Sequence, residues 1–354
     1  MVTGVGSVWT NSAGFVIGAN MLVTVTNGGS LLCAGNSTLG TNGGDSVVTI
    51  IGGAGVTSRW SVGASPASAK SLTVGAGASA NNRLWIDGGG VAGGALVANV
   101  GGLFVGAGAG ANSNSVITTN GGRFIMNSGA LAIGTNDNNN NSVVLTNSVL
   151  TNTLDSYLGA GSSNNTLKIL AGTTWNMGAK YLYVGPRGGN GNVLTIDGST
   201  VSNIYDVRMG LGDAVVTNTA CNSIVITNGG RLFAQSPFGD PSSLGGYFGY
   251  SNSVTITGPG SMWSNADASG ITLGSLQYAP NIGLSSISIL DGGKLDVTFM
   301  RIAYTPSNTV LVAGTGSILR ARGVGFDGGF SIGGAGGGVS PYDCGNQLIV
   351  SNGG

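Results

Sequence analysis

The sequence predicts an all-β protein: a right-handed single-stranded parallel β-helix (β-solenoid) of about 12 coils, each built from three short strands. Three observations predict it. A strand-then-turn phrase recurs from end to end of the chain. Its aliphatic columns alternate with other residues at the period of two that buries one face of a strand. Glycine, 68 of 354 residues, punctuates the phrase, and no stretch sustains the 3.6-residue period of a helix.

The clearest copy runs from Asn222 to Gly230, Asn-Ser-Ile-Val-Ile-Thr-Asn-Gly-Gly. Ile224 and Ile226 share one face of a strand, and Asn228-Gly229-Gly230 supplies residues that tolerate positive φ. Copies begin at Met21, Ser46, Asn82, Asn114, Asn141, Asn165, Asn192, Asn222, Asn252, Ser285, Asn308 and Asn346, an average period of about 30 residues. Two positions after each start the residue is always aliphatic. Four positions after, only Thr118 breaks the column. Nine of the twelve starts are Asn, which predicts a column of stacked amides, each donating to the next coil.

The remaining strands of a coil follow the first. Thr174-Trp-Asn-Met177 reads as a second strand and Leu182-Tyr-Val-Gly185 as a third. Third strands closing on Gly recur at Leu103–Gly106, Leu131–Gly134, Val207–Gly210, Ile271–Gly274 and Phe330–Gly333. A lone coil cannot bury its inward face, whereas stacked coils form parallel sheets around one apolar core. Right-handed crossover is the expected sense for parallel strands. The longest intervals hold Ala64–Lys70 and Gly333–Pro341, which read as surface excursions. The whole of 1–354 reads as one continuous solenoid. Because both ends stop inside a repeat, it reads as a segment of a longer protein whose export signal and anchor lie outside it.

Composition narrows the function. Only 7% of residues are charged, 13 basic against 13 acidic; every acid is Asp, and His is absent. Neutral balance without a run of Lys or Arg offers no footprint for nucleic acid or anionic lipid, and no apolar run is long enough for a transmembrane helix. Cys33, Cys221 and Cys344 fall in distant coils, the nearest two about 19 Å apart at the strand-pairing spacing. That exceeds the ~7 Å reach of a disulfide, so they are expected to be unpaired, small buried apolar residues.

Candidate chemistry is sparse. Asp87, Asp197 and Asp291 occupy similar turns in separate coils, roughly 14 to 19 Å apart, too far for a carboxylate pair. Asp206, Arg208 and Asp213 form the best cluster, with Asp206 and Arg208 two apart on one strand, read as an outward-facing ion pair. The loop Gln235–Tyr250 carries Pro237, Phe238, Asp240, Tyr247, Phe248 and Tyr250; Tyr247, Phe248 and Tyr250 are candidates to stack on sugar rings if exposed. The Gly pairs, such as Gly28-Gly29 and Gly121-Gly122, are turns, since no phosphate-loop Lys-Ser/Thr follows them. No catalytic residue, cofactor or metal site is predicted. Outward Trp85, Ile117, Val144, Val225, Leu311 and Ile349 give an apolar surface, and open coils at both ends leave strand edges; both favour self-association, lateral or end to end.

The combination of Gly-x-Gly-Ser-x-Trp, at Gly4 to Trp9 and Gly258 to Trp263, with Asn-x-Leu-x-Ile-x-Asn-Gly-Gly resembles the β-strand repeat of type V autotransporter passengers and PEP-CTERM-associated surface proteins. The resemblance covers essentially the whole chain. It implies a secreted or bacterial cell-surface rod, structural or adhesive and without an active site, able to build a fibre or layer. The alternative is a β-helix that binds or cleaves polysaccharide, since this fold also hosts lyases and hydrolases.

Overall fold

A computed structural model describes residues 1–211, 219–235, 242–245, 249–265, 270–274, 283–302, 305–323, 329–333 and 344–354. It is a parallel β-solenoid. The described residues fall into two compact units: Met1–Ser156 with Ser162–Asn176, and Tyr157–Gly161 with Met177–Gly354.

In the first unit the opening strands of successive coils form one parallel sheet: Val2–Thr3, Leu22–Thr26, Val47–Ile51, Arg83–Asp87, Ser115–Thr119, Ser142–Leu145 and Thr166–Ile169. In the second unit the series is Val193–Asp197, Ser223–Thr227, Ser253–Thr257, Ser286–Leu290, Thr309–Ala313 and Gln347–Ser351. The register follows the aliphatic columns. Ile224 lies opposite Val254 and Ile226 opposite Ile256, all buried. A one-residue slip would turn every such side chain to solvent, so the columns themselves fix the pairing.

Second and third strands stack in the same way, as Leu232 on Trp263 on Leu295 and Leu72 on Leu103 on Leu131 show. Trp60, Trp175 and Trp263 are the largest fully buried side chains and fill the second-strand columns. At three places the expected second and third strands run on as one: Ala95–Ala107, Thr174–Val184 and Thr200–Met209. In the first and third of these the register shifts at the corner, at Val97/Val100 and Val201/Ile204, where Asn99 and Asn203 take positive φ. The excursion in the second coil is a short 3₁₀ turn, Pro66–Ser68, capped by Ser65; the Gly333–Pro341 excursion, apart from Gly333, lies outside the described residues.

The asparagine column is a hydrogen-bonded ladder. Nδ2 of Asn82 donates to Oδ1 of Asn114 (2.9 Å) and Nδ2 of Asn114 to Oδ1 of Asn141 (3.1 Å). Each backbone N–H of these residues donates to the same oxygen. In the second unit Asn192 donates to Asn222 and Asn222 to Asn252 in the same double fashion. The ladder also explains the glycine that closes a third strand. A Cβ on Gly106 would lie 2.3 Å from the Asn141 amide nitrogen, and one on Gly185 2.2 Å from that of Asn222; both residues sit at positive φ, +71° and +63°. At these rungs Asn thus requires Gly beneath it.

Exceptions to the columns are satisfied locally. Thr118 is buried among aliphatic equivalents because its hydroxyl donates to the Thr146 carbonyl at 2.9 Å. Ser285 is a rung too short: its hydroxyl takes the Asn252 N–H at 3.3 Å, leaving Asn252 Nδ2 buried without a partner among the described residues.

Two expectations are corrected. Cys33 is buried but Cys221 and Cys344 are exposed, because the latter two lie outside the inward columns; all three are free. Of the outward apolar residues, only Ile349 is exposed. Trp85, Ile117, Val144, Val225 and Leu311 are half-buried by neighbours in adjoining coils. Trp85 is held further by Arg83 over its ring at 4.8 Å and by donating to the Thr119 hydroxyl at 3.0 Å.

Candidate functional site

The strand Thr200–Met209 places the one polar cluster in the second unit that departs from the repeat. Ile204, Val207 and Met209 point inward and are fully buried. Asp206, expected on the outward face, is fully buried, with Arg208 and the Ser242 hydroxyl of the next coil against it. The ion pair itself is present: Arg208 Nε donates to Asp206 Oδ2 at 2.9 Å, with the Arg208 side chain 23% exposed. Asp206 Oδ1 has no hydrogen-bond partner among the described residues. Burial pushes the Asp206 pKa up to about 6, against the opposing pull of Arg208 and the Ser242 hydroxyl.

Around this pair stands a group of tyrosines that the sequence reading did not single out. Tyr157 and Tyr183 stack with centroids 5.0 Å apart and planes within 3°. Tyr181 stacks on Tyr183 at 5.7 Å and tilts against Tyr205 at 4.8 Å. The Arg208 guanidinium lies 4.7 Å over the Tyr181 ring. The signal was in the sequence: Tyr157, Tyr183 and Arg208 each sit two residues before a strand-closing glycine, Gly159, Gly185 and Gly210, so the three share an outward column. Each of the four rings meets at least one other, and Tyr181 also meets Arg208. The arrangement stiffens this side of the unit more than it offers an open platform for a sugar.

Of the other candidates, Tyr247, Phe248, Asp213, Phe238 and Asp240 lie outside the described residues. Tyr250 is described, half-buried, and pairs with Ala220 in a two-stranded ribbon of Thr219–Ala220 and Gly249–Tyr250. No ring contact or hydrogen bond among the described residues joins Tyr250 to Asp206 or Arg208. Asp197 lies opposite Thr227 and accepts from the Asn228 amide at 2.9 Å. Asp87 accepts in the same way from Asn120 at 3.1 Å, so both serve turns. Among the described residues no three His, Cys, Asp or Glu gather where a metal ion could be held.

Comparison with known proteins adds little to this geometry. No family model matches the chain, and the curated proteins give no match. Among solved structures, a hyper-glycosylated fragment of TibA, its glycosylation catalysed by TibC, is similar at 11% identity and a TM-score of 0.25, over 91% of this chain and 96% of that one.

Proposed function

We propose that the chain is a secreted or cell-surface scaffold, structural or adhesive, with no catalytic step of its own. The observation that carries this reading is the use of the polar inventory. The asparagines that recur in coil after coil hold coils together, and the one buried carboxylate of the candidate cluster is spent on Arg208. General acid-base chemistry on a glycoside needs two carboxylates across one bond, and Asp206 has no carboxylate partner among the described residues. The rest of each coil serves stacking: apolar columns inside, glycine where the amides pass. Such a repeat sets length and presents surface, which is what an extended passenger or layer protein requires. Association between copies through the exposed Leu348, Ile349 and Val350 of the last opening strand belongs to the same reading.

The test is to display the chain on a bacterium lacking adhesins. Cells should then adhere to a coated surface or aggregate, while purified chain releases no reducing ends and no unsaturated products from neutral or acidic polysaccharides. Product release that is lost in Asp206→Asn would replace this reading with the enzymatic one.

A further inference from the structure

We infer that the second-strand face of each unit binds a linear acidic polysaccharide laid along the direction of coil stacking; this builds on the scaffold reading by naming what the surface holds. In the first unit Arg59 lies opposite Leu96 and Leu96 opposite Arg123, so two cations occupy one outward column with a single apolar coil between them. In the second unit the corresponding column reads Arg231, Met262, Lys294, Ile318. The same alternation therefore appears in both units. Two coil steps separate the cations by roughly 9.6 Å at the strand-pairing spacing.

Among the described residues these charges have no internal partner. None of the four side chains forms an ion pair or side-chain hydrogen bond among the described residues, and Nε of Arg59 and Arg123 is enclosed without a partner. Charge balance alone would set aspartate beside them in a chain with equal numbers of acids and bases. Asp87 and Asp197, at the turns leading to this face, are taken by the amides of Asn120 and Asn228. Asp296, two residues from Lys294, is already bridged to Arg320 and Arg322. Beside Lys294, Met262, Asp296, Ile318 and Arg320 line a groove of about 210 Å³. Phe233, half-buried and two residues from Arg231 on the same outward face, adds an aromatic ring of the kind that packs on sugar.

Spacing selects the class of polyanion. Duplex DNA carries one charge per about 1.7 Å of axis, so two cations set this far apart would neutralise little of it. An anionic membrane calls for clusters of about four to eight Lys or Arg. An extended glycan with an acidic group on alternate sugars repeats on the same scale as the column and presents ring faces to the residues between the cations.

Binding of the full chain to hyaluronan, neutral dextran and a DNA duplex, measured by calorimetry at low and moderate salt, tests the inference. Hyaluronan is expected to bind, more weakly as salt rises, with dextran and DNA well below it. Arg231→Gln with Lys294→Gln, and separately Arg59→Gln with Arg123→Gln, should each weaken binding several-fold with unchanged circular dichroism. The first pair is solvent-exposed and tests the face without disturbing enclosed groups. Lys168→Gln with Lys180→Gln, the same charge change outside these columns, should have no effect. No binding of hyaluronan, equal binding of DNA, or an equal loss in the Lys168/Lys180 variant overturns the inference. Surface display still reports on the scaffold reading in each of those cases.

Discussion

The asparagine corner and the Tyr181–Arg208 cluster both line up polar or aromatic side chains along the direction of stacking, yet they obey different rules. At the asparagine corner one residue type returns in coil after coil, and the buried amides of Asn82, Asn114, Asn192 and Asn222 each find a partner on the next coil. The tyrosines occur once, in neighbouring coils of one unit, and meet through Arg208 a carboxylate whose burial is only partly compensated. Repetition marks what the fold needs to exist. A solitary polar cluster marks where the fold tolerates a cost.

The sharpest way to break the asparagine corner is from beneath. Gly185→Val would drive a branched side chain into the Asn222 amide at a backbone angle L-residues avoid, and should cost more than about 4 kcal/mol in chemical denaturation. Gly18, which has open space where a Cβ would go, should accept Ala with little change. Removing a rung is the next largest effect. Asn222→Ala strips the acceptor used by Asn192 and the donor used by the Gly189 carbonyl and Asn252, a loss of about 2 to 4 kcal/mol.

The solitary cluster should respond to pH where the ladder does not. Asp206 has a raised folded-state pKa, so the folded chain holds its proton more tightly than the unfolded chain. Stability then falls as pH rises from about 4 to about 6, and the cost persists above that window. Asp206→Asn should flatten this slope in denaturation midpoints measured across the window; an unchanged slope would show that the carboxylate is not responsible. The smallest effect is a repair. Ser285→Asn should complete the broken rung, satisfy Asn252 Nδ2 and raise stability by about 1 kcal/mol.

Much of the fold was readable because its determinants repeat: the columns through Ile224 and Ile226, the amides, and the strand-closing glycines all recur at one period. What a single-copy reading could not supply was the path of the chain at individual corners. Asp206 and Arg208 stand two apart and so read as neighbours on one exposed face. The structure instead buries the carboxylate, with Ser242 of the next coil beside it. The tyrosine column and the alternating cations were missed for the opposite reason. Each becomes visible only when coils are superposed, with Tyr157 brought to Tyr183 and Arg59 to Arg123, and a linear scan ranks such residues as scattered.

The ladder has a direction: N–H and Nδ2 of Asn82, Asn114, Asn192 and Asn222 each address the oxygen of the Asn that comes next in the chain. Genes for such a protein can therefore be lengthened or shortened by splicing only in units of a complete turn. A cut that preserves the phase from Asn to Asn returns every donor to an acceptor, whereas a fractional insertion strands one amide and sets the glycine below it against a side chain.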